Sequence, residues 1–562
     1  PSKGYYLGAR RFGYFSTRYG WTGPNQSLTI NDIARIVLTD GQWIGNLSIP
    51  LWQLAAISGR VVDERGEPVV GAAVRVFSIR RISGQPQHVA GPIATTDDRG
   101  VYRIAELDPG RYVVGLMSVQ STVLATTVEM PLSRPIGELA TGGIGGGRGT
   151  TVSSPGIDVD GKHRLVVTNF ATPPPPSAGQ SRAYPAIFHP GARSAADALP
   201  IDITYGDNRG GVDFQLQPVP TARVSGRLVA PSGSVPGLLL RLMPVGSERL
   251  GFGSEAATTT VDRDGTFTFL NVPDGDYTLL AKSSVMDFTT GSSSVRFPDA
   301  PGFPAGGIAV GSYDGAPGLG FLARNGQPVP LWGRIAVTVG QRDIDDLVVP
   351  LQPTVTIRGR VVLEPGVKND GRLMMMAQPA DGDPTLGMPS GAVVANDPAL
   401  SFSIQGVMTG RYLLSNFNGL SIVSVMSAGK DVRDTGLEAA GRDIEDVIVT
   451  LTDKHAQVNG TVSGRPGPVA AIIAFPVERE QWTNYGWEPA RFRTVRAGSA
   501  GTFQIERLPA GEYFLIAVNP AQIDAWTDPQ FLAVASARAT RVTLAWGDKK
   551  TQDLTYAEIV IK

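Results

Sequence analysis

Four times along the chain the same three-part pattern returns, and a sequence that repeats in this way folds as a series of like units, not around one large core. The first part is a β-run carrying a small residue, a Gly/Pro-rich turn and a second β-run. Its copies are "ISGRVVDERGEPVVGAAVRVF" from Ile57, "VSGRLVAPSGSVPGLLLRLMP" from Val224, "IRGRVVLEPGVKNDGRLMMMA" from Ile357 and "VNGTVSGRPGPVAAIIAFPV" from Val458. This is the grammar of a hairpin. The second part is "TTDDRGVYRIAELDPGRYVVGL" (95–116), "TVDRDGTFTFLNVPDGDYTLLA" (260–281), "VANDPALSFSIQGVMTGRYLLS" (394–415) and "RAGSAGTFQIERLPAGEYFLIA" (496–517). Period-two pairs such as Phe267/Phe269, Phe402/Ile404 and Phe503/Ile505 set one face inward. A tight turn then leads to a Tyr in every copy, Tyr112, Tyr277, Tyr412 and Tyr513, expected to bury its ring while its hydroxyl holds the preceding turn.

The third part is a closing hairpin: "IDITYGDNRGGVDFQL" (201–216), "IAVTVGQRDIDDLVVPL" (335–351), "LEAAGRDIEDVIVTL" (437–451) and "VTLAWGDKKTQDLTYAEI" (542–559). A fifth copy, "IVLTDGQWIGNLSIPL" (36–51), stands ahead of the first opener, so closers outnumber openers by one.

Composition agrees with a turn-rich all-β chain. The 562 residues suit several domains, 42% are hydrophobic, and 68 Gly with 43 Pro disfavour long helices. A formal net charge of −1 and the lack of a dense basic run leave no electrostatic footprint for nucleic acid. Zero cysteines exclude disulfides, thiolate metal sites and Cys nucleophiles. No apolar run approaches the roughly 18 residues of a membrane span; "VAAIIAFPV" (469–477) suits a buried strand.

The combination "SGRVVDERGEPVVGAAVRV…DDRGVYRIAELDPGRYVV" resembles the carboxypeptidase regulatory-like domain, a small transthyretin-like or Cna-B-like β-sandwich, and the resemblance extends through the later copies. The segments "YPAIFHPGARSAADALPIDITYGD" (184–207) and "DPQFLAVASARATRVTLAWGD" (528–548) resemble the late parts of such modules in large secreted bacterial proteins. The fourth opener departs from the pattern, with Gly460-Thr461 in place of Gly-Arg. The resemblance implies accessory or adhesive modules without catalysis. It also raises the Lys–Asn/Asp isopeptide bond of Cna-B domains, but Arg60, Arg227, Arg360 and Thr461 occupy the equivalent opener site, and a guanidinium does not form that bond.

The expected fold is all-β, tandem transthyretin-like or Ig-like β-sandwich modules in a semi-rigid rod. Residues 1–54 form a partial module of closing strands, and complete modules span 55–219 (with a long insertion at 119–183), 220–353, 354–453 and 454–562, the last ending in a strand at 558–562. Within the insertion, "GELATGGIGGGRGTT" (137–151) and "ATPPPPSAG" (171–179) read as an exposed excursion and a polyproline II stretch. Helical turns are expected at "SERLGF" (247–252) and after Asp528-Pro529.

Chemistry is sparse. His88, His163, His189 and His455 lie in separate segments without ligand spacing, and no catalytic residue, metal or cofactor is assigned. "VDRDG" (261–265) would offer Asp262 and Asp264 to calcium, but the equivalent turns lose their acids, which favours a plain Asx turn. "GGIGGGRG" lacks the Lys-Ser/Thr of a phosphate loop. In "EQWTNYGWEPARF" (480–492), Trp482, Tyr485 and Trp487 are candidate ligand-contact aromatics for a glycan or protein surface, set against packing on their own domain.

The incomplete first module and the apolar "EIVIK" at 558–562 suggest head-to-tail self-assembly. Glu558, Ile559, Val560, Ile561 and Lys562 would add a strand beside Tyr5, Tyr6, Phe12, Ile36 and Leu38 of another copy. Two other readings stand beside it: a portion of a longer precursor, and packing of the N-terminal segment onto module one. The sequence thus points to a non-catalytic structural or adhesive protein, secreted to the bacterial surface or matrix. The alternative is a carbohydrate-binding accessory module of a secreted hydrolase.

Overall fold

The computed structural model describes residues 3–21, 36–124, 156–168, 180–231, 235, 237–251, 253–282, 330–368, 373–394, 397–416, 419–464, 469–498 and 500–561. The segments 137–151 and 171–179, and Lys562, lie outside the described residues. Among the described residues all elements are strands except short 3-10 turns and one α-helix, Pro529–Ser536.

The four openers run Ala55–Val62, Val219–Val229, Val355–Leu363 and Ala456–Ser463. Each pairs antiparallel with its middle strand (Val101–Leu107, Thr266–Pro273, Ser401–Val407, Thr502–Leu508) and parallel with the second strand of its closer. One glycine lies at the crossing in every module. Gly59, Gly226, Gly359 and Gly460 face Tyr102, Phe267, Phe402 and Phe503 across the antiparallel ladder. On the other side, a Cβ at any of these glycines would overlap the backbone carbonyl of Val212, Leu347, Val447 or Gln552 on the closer. The small residue in the opener signature is therefore steric: the closer can cross the opener only where no side chain stands, and an aromatic ring covers the gap.

The second β-run and the Tyr-bearing strand form the facing sheet, joined by the closer's first strand. The Tyr works as expected in three copies. Tyr112, Tyr277 and Tyr513 donate to the carbonyls of Asp108, Pro273 and Pro509 at 2.8, 2.9 and 2.7 Å, each four residues back. Tyr412 is fully buried in the same place, its hydroxyl beside the Met408 backbone but without a hydrogen bond of ordinary geometry. Burial raises the pKa of all four hydroxyls, so they stay protonated.

Module four buries its facing sheet on both sides, which accounts for the unbroken apolar run Ala471–Phe475. The outer cover is the helix Pro529–Ser536, with Pro529 in its first turn and the Asp528 carboxylate accepting from the Gln530 N–H at 2.9 Å. The expected turn at 247–252 is a 3-10 helix at Glu248–Leu250.

Three features depart from the sequence reading. First, part of the 119–183 insertion is ordered sheet. Residues Val119–Leu124 pair parallel with Ala257–Thr260 of module two, and His163–Thr168 pair with Val119–Leu124. With Ile157–Asp158 they extend module two's sheet to eight strands. The Leu270 N–H donates to Thr122 Oγ1 (2.8 Å) and Asn271 Nδ2 to Gln120 Oε1 (3.0 Å); Leu165, Val167 and Leu270 join the core of module one. Strand addition thus occurs here between modules of one chain.

Second, contact runs beyond sequence neighbours, because module one also reaches modules three and four. Third, no strand is assigned at 557–561. Ile559 is 4% exposed in module four's own outer core, its carbonyl accepting from Gln522 Nε2 at 2.8 Å, while the Glu558 carbonyl accepts from Arg538 at 2.6 Å.

The N-terminal segment rests on module one: the Gly206 N–H donates to the Gln53 carbonyl (2.7 Å), and the Phe15 ring meets Tyr205 edge-on at 6.3 Å.

Replacing Gly359 by Val should destabilise module three by about 3 kcal/mol, read as loss of amide protection over 355–451 in hydrogen exchange. Gly340→Ala, where a Cβ meets nothing within 4 Å, should leave protection unchanged.

Candidate functional site

The long hairpin of module one, Ala73–Ile82 and Gln85–Thr95, outreaches the second β-runs of the other modules and turns at Ser83-Gly84 with φ of 54° and 78°. Positive φ at both central residues is the two-residue turn that matches strand twist, and glycine accepts it without strain. The turn is driven between modules three and four. Ser83 Oγ donates to the Ala380 carbonyl at 2.6 Å and accepts from the Gly486 N–H at 3.1 Å. The Ser83 carbonyl accepts from the Asn484 N–H at 3.1 Å, and the Gly84 N–H donates to Tyr485 Oη at 3.0 Å. Gln87 Nε2 adds a bond to the Asp381 carbonyl at 3.0 Å.

Ser83 is buried, so each of these groups would cost free energy if it lost its partner. Charge pairs surround the turn. Arg81 meets Asp528 of module four at 3.2 Å, and Arg249 of module two meets Asp381 and Asp383 of module three at 2.6 and 3.2 Å. These pairs are partly solvated and contribute specificity more than energy.

The junction explains the aromatic loop 480–492. Trp482 is 3% exposed, donates Nε1–H to the Pro476 carbonyl at 2.8 Å and sits edge-on to Phe475 at 5.8 Å. It is core, and offers no stacking face to a sugar. Tyr485 stacks among Phe492 (5.0 Å) and Trp526 (5.7 Å), its hydroxyl held by Gly84 and its pKa raised by burial. Trp487 is half-buried, and its N–H and that of Glu488 both donate to Gln378 Oε1 of module three, at 2.9 and 3.2 Å. Beneath the loop, buried Arg491 pairs with Glu478 (3.0 Å), donates to the Glu512 carbonyl (2.8 Å) and lies over the Tyr513 ring at 5.0 Å.

The other candidates are placed apart. Asp262 forms an ion pair with Lys162 at 2.6 Å, and Asp264 accepts from the Thr266 N–H and hydroxyl at 3.0 and 2.6 Å, an Asx turn that lowers its pKa. Their oxygens serve the strap of residues 157–168 and the turn itself, not a shared cation. In that strap His163 Nδ1 lies 2.8 Å from Asp160, whose pKa this bond holds down to about 2. His189 lies in module one and His455 meets Ser421 Oγ at 3.0 Å. Among the described residues no three His, Asp or Glu side chains converge on a metal position. No described helix is long and apolar enough to cross a membrane.

Of the residues expected at a self-assembly contact, Tyr5, Tyr6 and Phe12 are exposed, the last at 84%, whereas Ile36 and Leu38 are half-buried in a strand pairing with Lys3–Tyr5. Ile559 is internal, and Val560 and Ile561 are exposed at the surface of module four.

The class is therefore a chain of β-sandwich modules locked by one inserted hairpin. Residues 56–129, within module one, match the carboxypeptidase regulatory-like domain. No curated protein matches the sequence. Among solved structures, the chain is similar to the Bacillus anthracis TIE protein (9% identity, 90% of this chain and 74% of that one, TM-score 0.14). It is also similar to a streptococcal ancillary pilin (11%, 60% and 99%, 0.19) and to BcpA, the major pilin subunit of Bacillus cereus (9%, 71% and 100%, 0.14). Likenesses at such TM-scores carry no argument about function; the fold assignment rests on the sheet topology above.

A side chain on Gly84 would come within 2.6 Å of the Trp482 carbonyl as well as straining the turn. Gly84→Val should expel the hairpin tip, raising the radius of gyration in small-angle scattering and exposing 480–492 to proteolysis, with the four module cores still folded by circular dichroism.

Proposed function

We propose that this chain is a non-catalytic structural or adhesive component of a bacterial surface or extracellular matrix, secreted, and acting as a stiff scaffold. The observation that supports this reading is the hairpin junction: the buried polar groups at the meeting of modules are bonded to one another across it. The acids and arginines there are paired with one another and not aimed into a cleft. Short connections and one shared inserted hairpin suit a body that transmits force or holds a surface at fixed geometry.

A carbohydrate-binding role through the 480–492 loop is disfavoured by the burial of Trp482 and the engagement of Tyr485. Filament growth by donation of residues 558–562 is disfavoured by the place of Ile559 in its own module.

The test is fractionation of the producing cells, followed by gene deletion. The chain is expected in the envelope or extracellular fraction, and its loss should reduce surface attachment or matrix cohesion. A cytosolic chain, or a deletion with normal attachment and cohesion, contradicts the reading.

A further inference from the structure

The bonds that join the modules divide the chain into two halves. Modules one and two share a sheet through Val119–Leu124, and Leu270 of module two is buried in the core of module one. Asn271, also buried, accepts at Oδ1 from Ser181 Oγ at 2.5 Å and from Thr221 Oγ1 at 2.6 Å, which carries a polar network across the same boundary. Opening it would strip a β-ladder and leave buried polar groups unpaired, so these two modules move together. Modules three and four are tied in turn. Gln378 Oε1 accepts from the Trp487 and Glu488 N–H groups, the Gly486 N–H donates to the Ala380 carbonyl at 2.9 Å, Arg507 Nη2 donates to the Gly419 carbonyl at 2.8 Å, and Ser421 Oγ lies 3.0 Å from His455 Nδ1.

The halves are joined covalently by the connector Gln352-Pro353-Thr354, beside the half-solvated Arg249 pairs, and non-covalently by the hairpin tip of module one. Tension between module one and module four therefore has two routes. On the tip route it meets a few hydrogen bonds at the end of a two-residue turn and the Arg81–Asp528 pair. On the covalent route it meets modules two and three, in each of which the first and last strands lie side by side and parallel: Val219–Val229 with Ile344–Pro350, and Val355–Leu363 with Ile444–Thr452. The chain enters such a module at the start of one strand and leaves at the end of the other. A pull then slides the two strands past each other, and the bonds of the ladder, with the core behind them, must fail together. Contacts that can open locally yield before a unit that opens only as a whole.

We propose that the Ser83-Gly84 tip is a force-released clasp. Under tension it leaves its seat between modules three and four before any core unfolds, and the pair one–two swings away from the pair three–four about residues 352–354. Release adds reach while every core stays intact. Closure requires only that the turn meet the same partners again, so the step is reversible. The clasp goes beyond the scaffold reading and survives its failure, because it is a property of the isolated molecule and not of its location.

The test is optical-tweezers stretching of the full chain, held by handles at its two ends. The first event should be a short, reversible lengthening at the lowest force. Unfolding of module two between Val224 and Pro350, and of module three between Ile357 and Leu451, should follow at higher force with gains of roughly 45 nm and roughly 35 nm, at about 3.6 Å per extended residue. Ser83→Ala removes the hydroxyl that both donates and accepts at the seat, and should shorten the closed lifetime at constant force about tenfold with the module events unchanged. Gly84→Val should abolish the first event. A first event of module length overturns the proposal, as does a short first event whose lifetime is the same in both variants as in the native chain. Should Gly84→Val disturb the module events, the Ser83→Ala comparison decides the matter.

Discussion

A polar turn cannot be buried unless every group on it finds a partner, and the arrangement of this molecule depends on that constraint at Ser83-Gly84. The hydroxyl, carbonyl and following N–H of the turn are met by Ala380, Gly486, Asn484 and Tyr485, residues from two modules that lie hundreds of positions away in sequence. Four or five hydrogen bonds at about 1 kcal/mol each give a junction comparable in worth to a small interface. Leaving any one unmade would cost more than the bond itself contributes. Because the partners belong to modules three and four together, the hairpin fixes their mutual geometry as well as its own.

Inside each module the corresponding constraint is steric. The closer must approach the opener backbone closely, and the glycine at the crossing allows this while an aromatic residue on the middle strand covers it. The rule holds even where the flanking sequence has drifted, as at Gly460-Thr461. There the Asp553 carboxylate accepts from the Thr461 N–H at 2.8 Å, as Asp213 accepts from the Arg60 N–H at 2.7 Å in module one. Strand addition from module one to module two follows the same logic of satisfied edges: Val119–Leu124 covers what would otherwise be the open side of Ala257–Thr260.

The parts legible in the sequence were those governed by short-range pattern. Opener, aromatic-x-apolar and Tyr signatures marked the paired strands and turns of each repeat because period-two alternation and turn chemistry are local, and Asp528-Pro529 marked the helix for the same reason. The junction was not legible, because the fit of "ISGQ" (82–85) against modules three and four depends on shapes built by distant segments. Excess hairpin length in 73–95 was the available signal. The aromatics of 480–492 left a ligand surface and packing on their own domain both open by composition, whereas the unbroken run Ala471–Phe475 already implied a sheet covered on both faces, with Trp482 as part of the cover. "EIVIK" misled similarly: its apolar residues suit a strand, but Ile559 fills a gap beside the helix.

The central claim is that the inserted hairpin makes four sandwiches one body, and the absence of native cysteine makes it directly measurable. Spin labels on Gln85→Cys, next to the tip, and Gln530→Cys, on the helix that carries the Asp528 contact, report the separation of modules one and four by double electron–electron resonance. A single short and narrow distance distribution is predicted. A broad distribution reaching long distances would show modules moving independently and would contradict the account.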